Sequence, residues 1–218
     1  MSLDGVRRRV EAAARRAGRS PDEVTIVAVS KGRAPGAIAE LYATGHRDFG
    51  ENRASELVEK AAQLPDDIRW HFVGHLQSRK ARLVRPLAGV LHSLESESTA
   101  KAWLKGAGLP PPAYLQVNIG REPQKYGVDP DQTAETVQRF GALGIELRGL
   151  MAILPVVEEA EAARPYFQEM VRLRDEIAQQ HPQVAGLSMG MTDDFEVAVE
   201  EGSTVIRVGR AIFESHSS

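Results

Sequence analysis

The chain alternates between short apolar runs rich in β-branched residues and longer segments whose apolar residues recur with helical spacing. Segments such as AIAELYATG and ASELVEKAAQL follow the first two runs. Several of these segments begin at a capping residue, such as Asp131 or Thr192, and end at glycine. The pattern predicts eight strands, at Val24–Lys31, Arg47–Gly50, Trp70–Leu76, Val90–Leu94, Ala113–Ile119, Leu147–Leu154, Gly186–Gly190 and Thr204–Val208.

The order of these elements predicts a (β/α)8 TIM barrel. Strands separated by helices pair in parallel, because a parallel crossover needs a long connection. Eight strand–helix units close into a barrel, and 218 residues leave room for one such domain, which we expect to span residues 1–218. The rival fold is an open doubly wound sheet. We prefer the barrel because the strand count is eight and no GxGxxG motif opens the first helix after a strand.

An extra helix is predicted ahead of the first strand, in the Arg-rich segment MSLDGVRRRVEAAARRAGRS. Val6, Val10, Ala13 and Ala14 recur on one face, which predicts an amphipathic helix with its apolar side against the barrel. Contact of its basic face with a nucleic acid or a membrane is the alternative. The segment lacks the apolar core of a signal peptide, and no stretch of the sequence is long enough to cross a bilayer.

Composition narrows the classes of protein further. The formal net charge of −3 argues against a nucleic-acid binder, which normally carries a basic excess. The sequence contains no cysteine, so disulfides and thiolate metal sites are excluded, and a reducing cytoplasm is the expected location. We expect no membrane partner and no nucleic-acid partner.

Lys31 is the first candidate functional residue. Among the six lysines it alone terminates an apolar strand, and Val27, Val29 and Lys31 share one face of that strand. If the valines point into the barrel, Lys31 lies at its upper rim, where burial favours the neutral amine that Schiff-base chemistry needs. The alternative is a lysine that extends into solvent at a strand end.

The ends of the last two predicted strands carry the residues of a phosphate site. Ser188, Gly190 and Thr192 follow or close the seventh strand, and Gly209 and Arg210 close the eighth. Barrels of this class often bind phosphate with these two loops, where glycine lets backbone amides approach the anion. A turn at each position is the alternative, and each half of the pattern is weak alone.

Arg207 is predicted inside the barrel. Val205, Arg207 and Gly209 share one face of the eighth strand, and the face with glycine is the better candidate for the interior. A buried guanidinium needs partners because it keeps its proton. A structural ion pair with a nearby acid is the alternative to a functional role.

Three further residues lie near predicted strand ends. Asn52 follows the second strand, where it is a rim residue or a helix N-cap. His75 is placed at the barrel mouth; it cannot share a metal with His71, because four residues of strand span about 13 Å. Lys125 lies in the loop after the fifth strand, where most lysines are simply solvated.

Together the motifs resemble one family closely, over nearly the whole chain and in order. The sequence is similar to the YggS/PROSC family of pyridoxal-phosphate homeostasis proteins, and the Ser-Met-Gly-Met segment followed by Arg-Val-Gly is the most specific match. The resemblance is carried by VAVSKGRAP, FGENR, WHFVGHLQSRKA, YLQVNIGREPQKYGV, LRGLMAI, GLSMGMTDDFEVAVEEGST and VIRVGRAIF.

This resemblance implies a barrel of the alanine racemase N-terminal domain type, with pyridoxal 5′-phosphate (PLP) as the cofactor. It implies that Lys31 forms the Schiff base and that Arg207 meets the pyridine nitrogen. It also implies a phosphate site and a set of residues near the cofactor. The phosphate site is Ser188, Thr192 and the amides around Gly209 and Arg210; the neighbouring residues are Asn52, His75 and Met151; Lys125 matches a second lysine thought to help in cofactor handling.

Three positions depart from the family pattern. Arg33 stands where many members have a second lysine, which puts in doubt a transfer role shared by two neighbouring lysines. Gly120 replaces a frequent serine. Arg210 stands where a small polar residue is common, and it adds a positive charge beside the expected phosphate.

The resemblance implies a PLP carrier in vitamin B6 homeostasis, without evident catalysis. An arginine at the pyridine nitrogen makes the ring a weak electron sink, and we expect no second domain because the sequence ends shortly after the eighth strand. A low-activity amino-acid racemase is the runner-up, and a cofactor-free aldolase-like barrel is the third possibility. We expect a monomer, with PLP-dependent apo-enzymes as recipients.

Overall fold

The structure is a computed structural model, and it describes residues 2–213. Eight parallel strands form a closed barrel in chain order, with β8 paired to β1. The predicted fold and all eight predicted strands are confirmed; the ends of the predicted domain at residues 1 and 214–218 lie outside the described residues. The strands are β1 Thr25–Val29, β2 Asp48–Glu51, β3 Arg69–Phe72, β4 Ala88–Leu94, β5 Ala113–Val117, β6 Leu147–Ala152, β7 Gly186–Ser188 and β8 Val205–Val208.

Several strands end earlier than the sequence predicted. β1 stops at Val29, two residues before Lys31, because Gly32 adopts a φ of +69° and the amide of Arg33 donates to the main-chain oxygen of Ser30. A turn with positive φ at this point ends the strand at low steric cost because the residue is glycine. Lys31 therefore lies in the β1–α2 loop and not in the strand itself.

Helices cover the outside of the barrel. The helix predicted to start at Thr192 starts instead at Phe195, after an N-cap at Asp194. The helices are α1 Leu3–Arg16, α2 Pro35–Ala43, α3 Ala54–Ala61, α4 Ala81–Val84, α5 Glu97–Leu104, α6 Thr133–Ala142, α7 Arg164–Ala178, α8 Phe195–Glu200 and α9 Arg210–Phe213.

The predicted extra helix is α1, and its four predicted inward residues are all buried. Its basic side faces α8, where Arg9 pairs with Glu196 and Arg16 pairs with Glu200 at 2.6 Å. These arginines therefore serve ion pairs within the protein. Within residues 2–213 no helix is both long enough and apolar enough to cross a membrane.

The hydrophobic core lies between the strands and the helices, and a smaller apolar cluster fills part of the barrel itself. Val27, Tyr114, Met151 and Val205 form this inner cluster. Polar side chains share the interior with it, and some of them meet across the barrel: His92 on β4 contacts Ser188 on β7 at 2.8 Å. Barrels of this class are usually filled by branched apolar residues, so this interior is unusually polar.

Candidate functional site

A cavity of about 400 Å³ opens at the carboxyl ends of the strands. This is the face where barrels of this class place their reactive groups. Seven of the nine predicted site residues line it, although they come from five different strand ends. They are Lys31, Asn52, His75, Thr192, Arg207, Gly209 and Arg210; Val29, Val73, Gly74, Gln116, Tyr126, Ile153, Met191 and Asp193 complete the wall.

Met151 and Ser188 do not reach the cavity wall. Ser188 pairs in register with Met151 on β6 and with Val205 on β8. Val205 precedes Arg207 by two residues, so Met151, Ser188 and Val205 lie one layer deeper in the barrel than Arg207. Both Met151 and Ser188 are fully buried. The Ser188 hydroxyl is hydrogen-bonded to Arg207 and His92, and its implied contact with a phosphate stays a prediction.

Lys31 lines the cavity, but it is exposed, whereas the sequence predicted that it would be buried. The early end of β1 explains the difference, since the loop carries Lys31 out of the sheet. The two residues beside it are nevertheless firmly held. Ser30 is fully buried, and its amide and hydroxyl both reach β2, at Gly50 and Glu51.

An ionic network centred on the buried Lys60 forms hydrogen bonds to the main chain on both sides of Lys31, at Ser30 and Gly32. Lys60 of α3 donates to the main-chain oxygen of Ser30 at 2.8 Å and to the carboxylates of Glu51 at 2.6 Å and Glu56 at 3.0 Å. Glu56 accepts the amide of Gly32 at 2.8 Å, and this hydrogen bond lowers the pKa of Glu56. Burial raises the pKa of Glu51, against the effect of Lys60.

Sequence reasoning missed this network. One signal was present: Lys60 follows Leu57 by three residues, so the helical period places a lysine on the buried face of α3. A lysine at such a position needs a buried acid. The periodicity alone does not identify Glu51 as that acid, because the contact joins a helix to a strand.

Arg207 lies inside the barrel, as predicted. Its side chain is buried, and it donates to the main-chain oxygens of Ser188 at 2.6 Å and Ala152 at 2.8 Å and to the Ser188 hydroxyl at 2.7 Å. The alternative was a structural ion pair between Arg207 and a nearby acid. Within the described residues no carboxylate forms such a pair with Arg207. Burial lowers the pKa of Arg207 to about 10, which leaves it charged at neutral pH.

His75 and Asn52 line the part of the wall that follows β3 and β2. His75 pairs with Glu95 through Nδ1 at 2.8 Å and stacks on Tyr126, with ring centroids 3.8 Å apart. Arg53, and not Asn52, is the N-cap residue of α3. The side-chain oxygen of Asn52 is buried and has no hydrogen-bond partner within residues 2–213. Such an orphaned acceptor is costly unless something in the cavity satisfies it.

The last two strand ends meet at one side of the cavity. Thr192, Gly209 and Arg210 line this side together with Asp193. Gly190 bends the β7–α8 loop with a φ of +95°. Arg210 forms an ion pair with Asp193, and both side chains are largely exposed. The positive charge that Arg210 adds is thus partly balanced by a neighbouring carboxylate.

The remaining positions singled out in the sequence lie outside the cavity wall. Lys125 pairs with Glu122 at 2.5 Å and donates to the main-chain oxygen of Leu154 at 3.0 Å. At Gly120 an added Cβ would lie 2.5 Å from Pro155, so a serine does not fit there without movement. The guanidinium of Arg33 lies 5.9 Å from the Phe213 ring centroid. No group of three or more metal-ligating side chains occurs within the described chain.

Comparison with known proteins gives consistent relatives, although no protein-family model matches the chain. A pyridoxal phosphate homeostasis protein of Aquifex aeolicus is 36% identical over 217 residues, covering 97% of this chain and 95% of that protein. A solved structure of PipY from Synechococcus elongatus PCC7942, with PLP bound, superposes with a TM-score of 0.80 at 36% identity. That match covers 94% of this chain and 99% of PipY.

More distant structures share the fold alone. Alanine racemase from Corynebacterium glutamicum superposes with a TM-score of 0.64 at 15% identity. The match covers 97% of this chain and 61% of the racemase. The barrel is therefore of the alanine racemase type, as the sequence motifs implied.

Proposed function

Since this chain belongs to the family of pyridoxal phosphate homeostasis proteins, we propose that it binds PLP in the cavity at the carboxyl ends of its strands and holds it there for use elsewhere. The observation that supports this most directly is a convergence. Lys31 follows β1, Thr192 follows β7, and Arg207, Gly209 and Arg210 lie at the end of β8, yet all of them line one cavity.

The wall has the chemistry that PLP requires. Lys31 supplies an amine for the aldehyde. Thr192 supplies a hydroxyl, Arg210 a guanidinium and Gly209 the backbone directly before α9 for the phosphate. The orphaned oxygen of Asn52 is a buried acceptor with no protein partner among the described residues, as expected where a bound group supplies the donor.

When bound, PLP supplies an aldehyde that amines attack and a ring that withdraws electrons. In the proposed arrangement Lys31 forms the Schiff base, and the network around Ser30 and Gly32 holds that loop in place. Arg207 faces the ring nitrogen and donates a hydrogen bond to it. Thr192 and Arg210 bind the phosphate, while Asn52 and His75 lie beside the cofactor.

Arg207 also supports a non-catalytic role. A guanidinium that stays charged at neutral pH does not transfer its proton to the ring nitrogen, whereas a carboxylic acid does. The ring remains a weak electron sink, and carbanion chemistry gains little from it. We therefore propose a carrier that exchanges PLP with PLP-dependent apo-enzymes, as a cytoplasmic monomer.

Mass spectrometry after borohydride reduction tests the binding site. The protein is incubated with PLP, reduced and digested, and one pyridoxyl-phosphate adduct is expected on the peptide that contains Lys31. Lys31→Ala should lose the adduct, whereas Lys105→Ala, a change at an exposed lysine that does not line the cavity, should keep it. An adduct that persists on Lys125 in the Lys31→Ala protein would show the Schiff-base assignment to be wrong.

Amino-acid racemisation is the second candidate function. The observation that favours it is that His75 lines the cavity and is paired with Glu95, because a histidine oriented by a carboxylate can exchange protons. A chiral assay with several amino acids and added PLP distinguishes the two functions. The carrier predicts no turnover, and robust racemisation that His75→Ala abolishes would replace it.

A further inference from the structure

A chain of five polar side chains crosses the interior of the barrel, starting at the cavity and ending at the opposite face. Arg207 of β8 contacts the Ser188 hydroxyl of β7 at 2.7 Å, and that hydroxyl lies 2.8 Å from Nδ1 of His92 on β4. Nε2 of His92 lies 2.9 Å from Nδ1 of His71 on β3. Nε2 of His71 lies 3.1 Å from the carboxylate of Asp48 on β2.

The middle of this relay is removed from water. Ser188 and His92 are fully buried, and His71 is 6% exposed. Asp48 ends the relay near the amino-terminal face, where Arg69 binds both of its oxygens at 2.8 and 2.5 Å. Polar groups cost free energy inside a barrel unless each is satisfied, so an unbroken relay of this length is not a default of the fold.

Hydrogen-bond chemistry gives the relay one direction. Arg207 can only donate, so the Ser188 oxygen accepts and the hydroxyl proton points to Nδ1 of His92. His92 must then carry its proton on Nε2 and donate to Nδ1 of His71. His71 in turn carries its proton on Nε2 and donates to Asp48. Both imidazoles are therefore the Nε2–H tautomer.

The two ends of the relay carry opposite charges. Burial opposes ionisation of Asp48, but hydrogen bonds from Arg69 and His71 hold the pKa of its carboxyl well below the usual range. Arg207 is the cation at the cavity end. Burial lowers the pKa of His92, and the neighbouring Arg207 cation acts in the same direction, so that ring is neutral. A neutral relay thus joins a buried cation to a distant anion.

We propose that Ser188, His92, His71 and Asp48 are positioning residues that hold the guanidinium of Arg207 against the cavity and orient it toward a bound nitrogen heterocycle. The inference rests on the proposed function, in which Arg207 faces the PLP ring. It adds four residues, which lie on β2, β3, β4 and β7, and none of these strands carries a predicted contact to the ring nitrogen. Their effect passes through Ser188, because Ser188 alone among them touches Arg207.

Nitrogen NMR of the histidine rings tests the direction of the relay in the protein without PLP. Long-range ¹H–¹⁵N spectra, assigned with His71→Gln and His92→Gln, should show both rings as Nε2–H tautomers. An Nδ1–H tautomer at His92 would overturn the proposal, since Ser188 would then have to accept from both neighbours. This measurement stands whether or not the protein binds PLP.

A double-mutant cycle tests whether His92 acts through Ser188. Ser188→Ala and His92→Phe should each weaken PLP binding about tenfold, the effect of losing one or two buried hydrogen bonds. The double variant should also bind PLP about tenfold more weakly than the unaltered protein, because both changes break the same relay. Losses that multiply to about a hundredfold would mean independent, merely structural effects and would refute the proposal.

Asp48→Asn tests the end of the relay that lies farthest from the cavity. It is used in place of the double-mutant cycle if His92→Phe fails to fold. It should weaken PLP binding severalfold, although Asp48 does not line the cavity. Asp67→Asn is the matched control, because Asp67 also pairs with an arginine, Arg47 at 2.8 Å, but on the outer surface. Equal affinities for the two variants would reject the relay. Absence of PLP binding by the unaltered protein would instead reject the proposed function.

Discussion

The ammonium group of Lys60 donates a 2.8 Å hydrogen bond to the main-chain oxygen of Ser30, the residue directly before Lys31. Lys60 is buried, and its other two contacts are the carboxylates of Glu51 and Glu56. A helix outside the barrel thereby holds the loop that presents the proposed cofactor lysine. The geometry makes Lys60 a structural lysine, distinct in role from Lys31.

Lys60→Met is expected to lower the free energy of unfolding by about 3–5 kcal/mol, because it leaves a buried glutamate without its cation. Urea denaturation followed by circular dichroism measures the change. The control is Lys101→Met, which removes an exposed pair with Glu97 on α5 and should change stability by less than about 0.5 kcal/mol. Similar effects of the two substitutions would contradict the assigned role.

Asp193→Asn is expected to tighten PLP binding roughly two- to fivefold, a range typical of an exposed ion pair. The substitution frees Arg210 from its carboxylate partner and removes a negative charge from the proposed phosphate side. Spectroscopic titration at low and high salt measures it, and the gain should shrink as salt screens the charges. Asp175→Asn, beside Arg174 on α7, is the control and should leave affinity unchanged.

Gly190→Ala is expected to destabilise the fold by about 2–4 kcal/mol, from unfavourable φ and overpacking together. Gly190 has a φ of +95°, and an added Cβ would lie 2.6 Å from the Ala198 side chain. Gly141→Ala gives the opposite expectation, a gain of about 0.5–1 kcal/mol, because Gly141 lies in α6 with open space around it. Thermal unfolding of the two variants compares them directly, and a neutral Gly190→Ala would refute the close approach.

His92 should make folding stability depend on pH. Its pKa is lowered in the folded protein by burial and by neighbouring charges, so the unfolded chain takes up the proton first as pH falls. The stability that His92 contributes is fully present above the unfolded pKa of about 6.5 and is lost below it. Between pH 7.5 and 5.5, the unaltered protein should lose about 1.4 kcal/mol relative to His92→Gln. Parallel pH profiles for the two proteins would show that His92 is not the titrating group.

Local sequence pattern was enough to predict the fold. Each strand is a short apolar run, and parallel pairing follows from the helices between the runs, so eight strands and closure were both predictable. The inward position of Arg207 was predictable too, because alternation along β8 is a property of the strand itself. The same reasoning misjudged Lys31, since a turn at Gly32 ended β1 before the period had brought the lysine into the barrel.

By itself the sequence determined which residues share a face of each strand, which strand ends carry reactive groups, and through its motifs the family. Only the tertiary structure decided how high each residue lies in the barrel. Ser188 is level with Val205 and not with Arg207, which places its hydroxyl where it accepts a hydrogen bond from the arginine. The reason is physical: side-chain alternation is local to a strand, whereas the stagger between strands is set by closing the barrel. Contacts such as Lys60 with Glu51, or His92 with Ser188, depend on that closure.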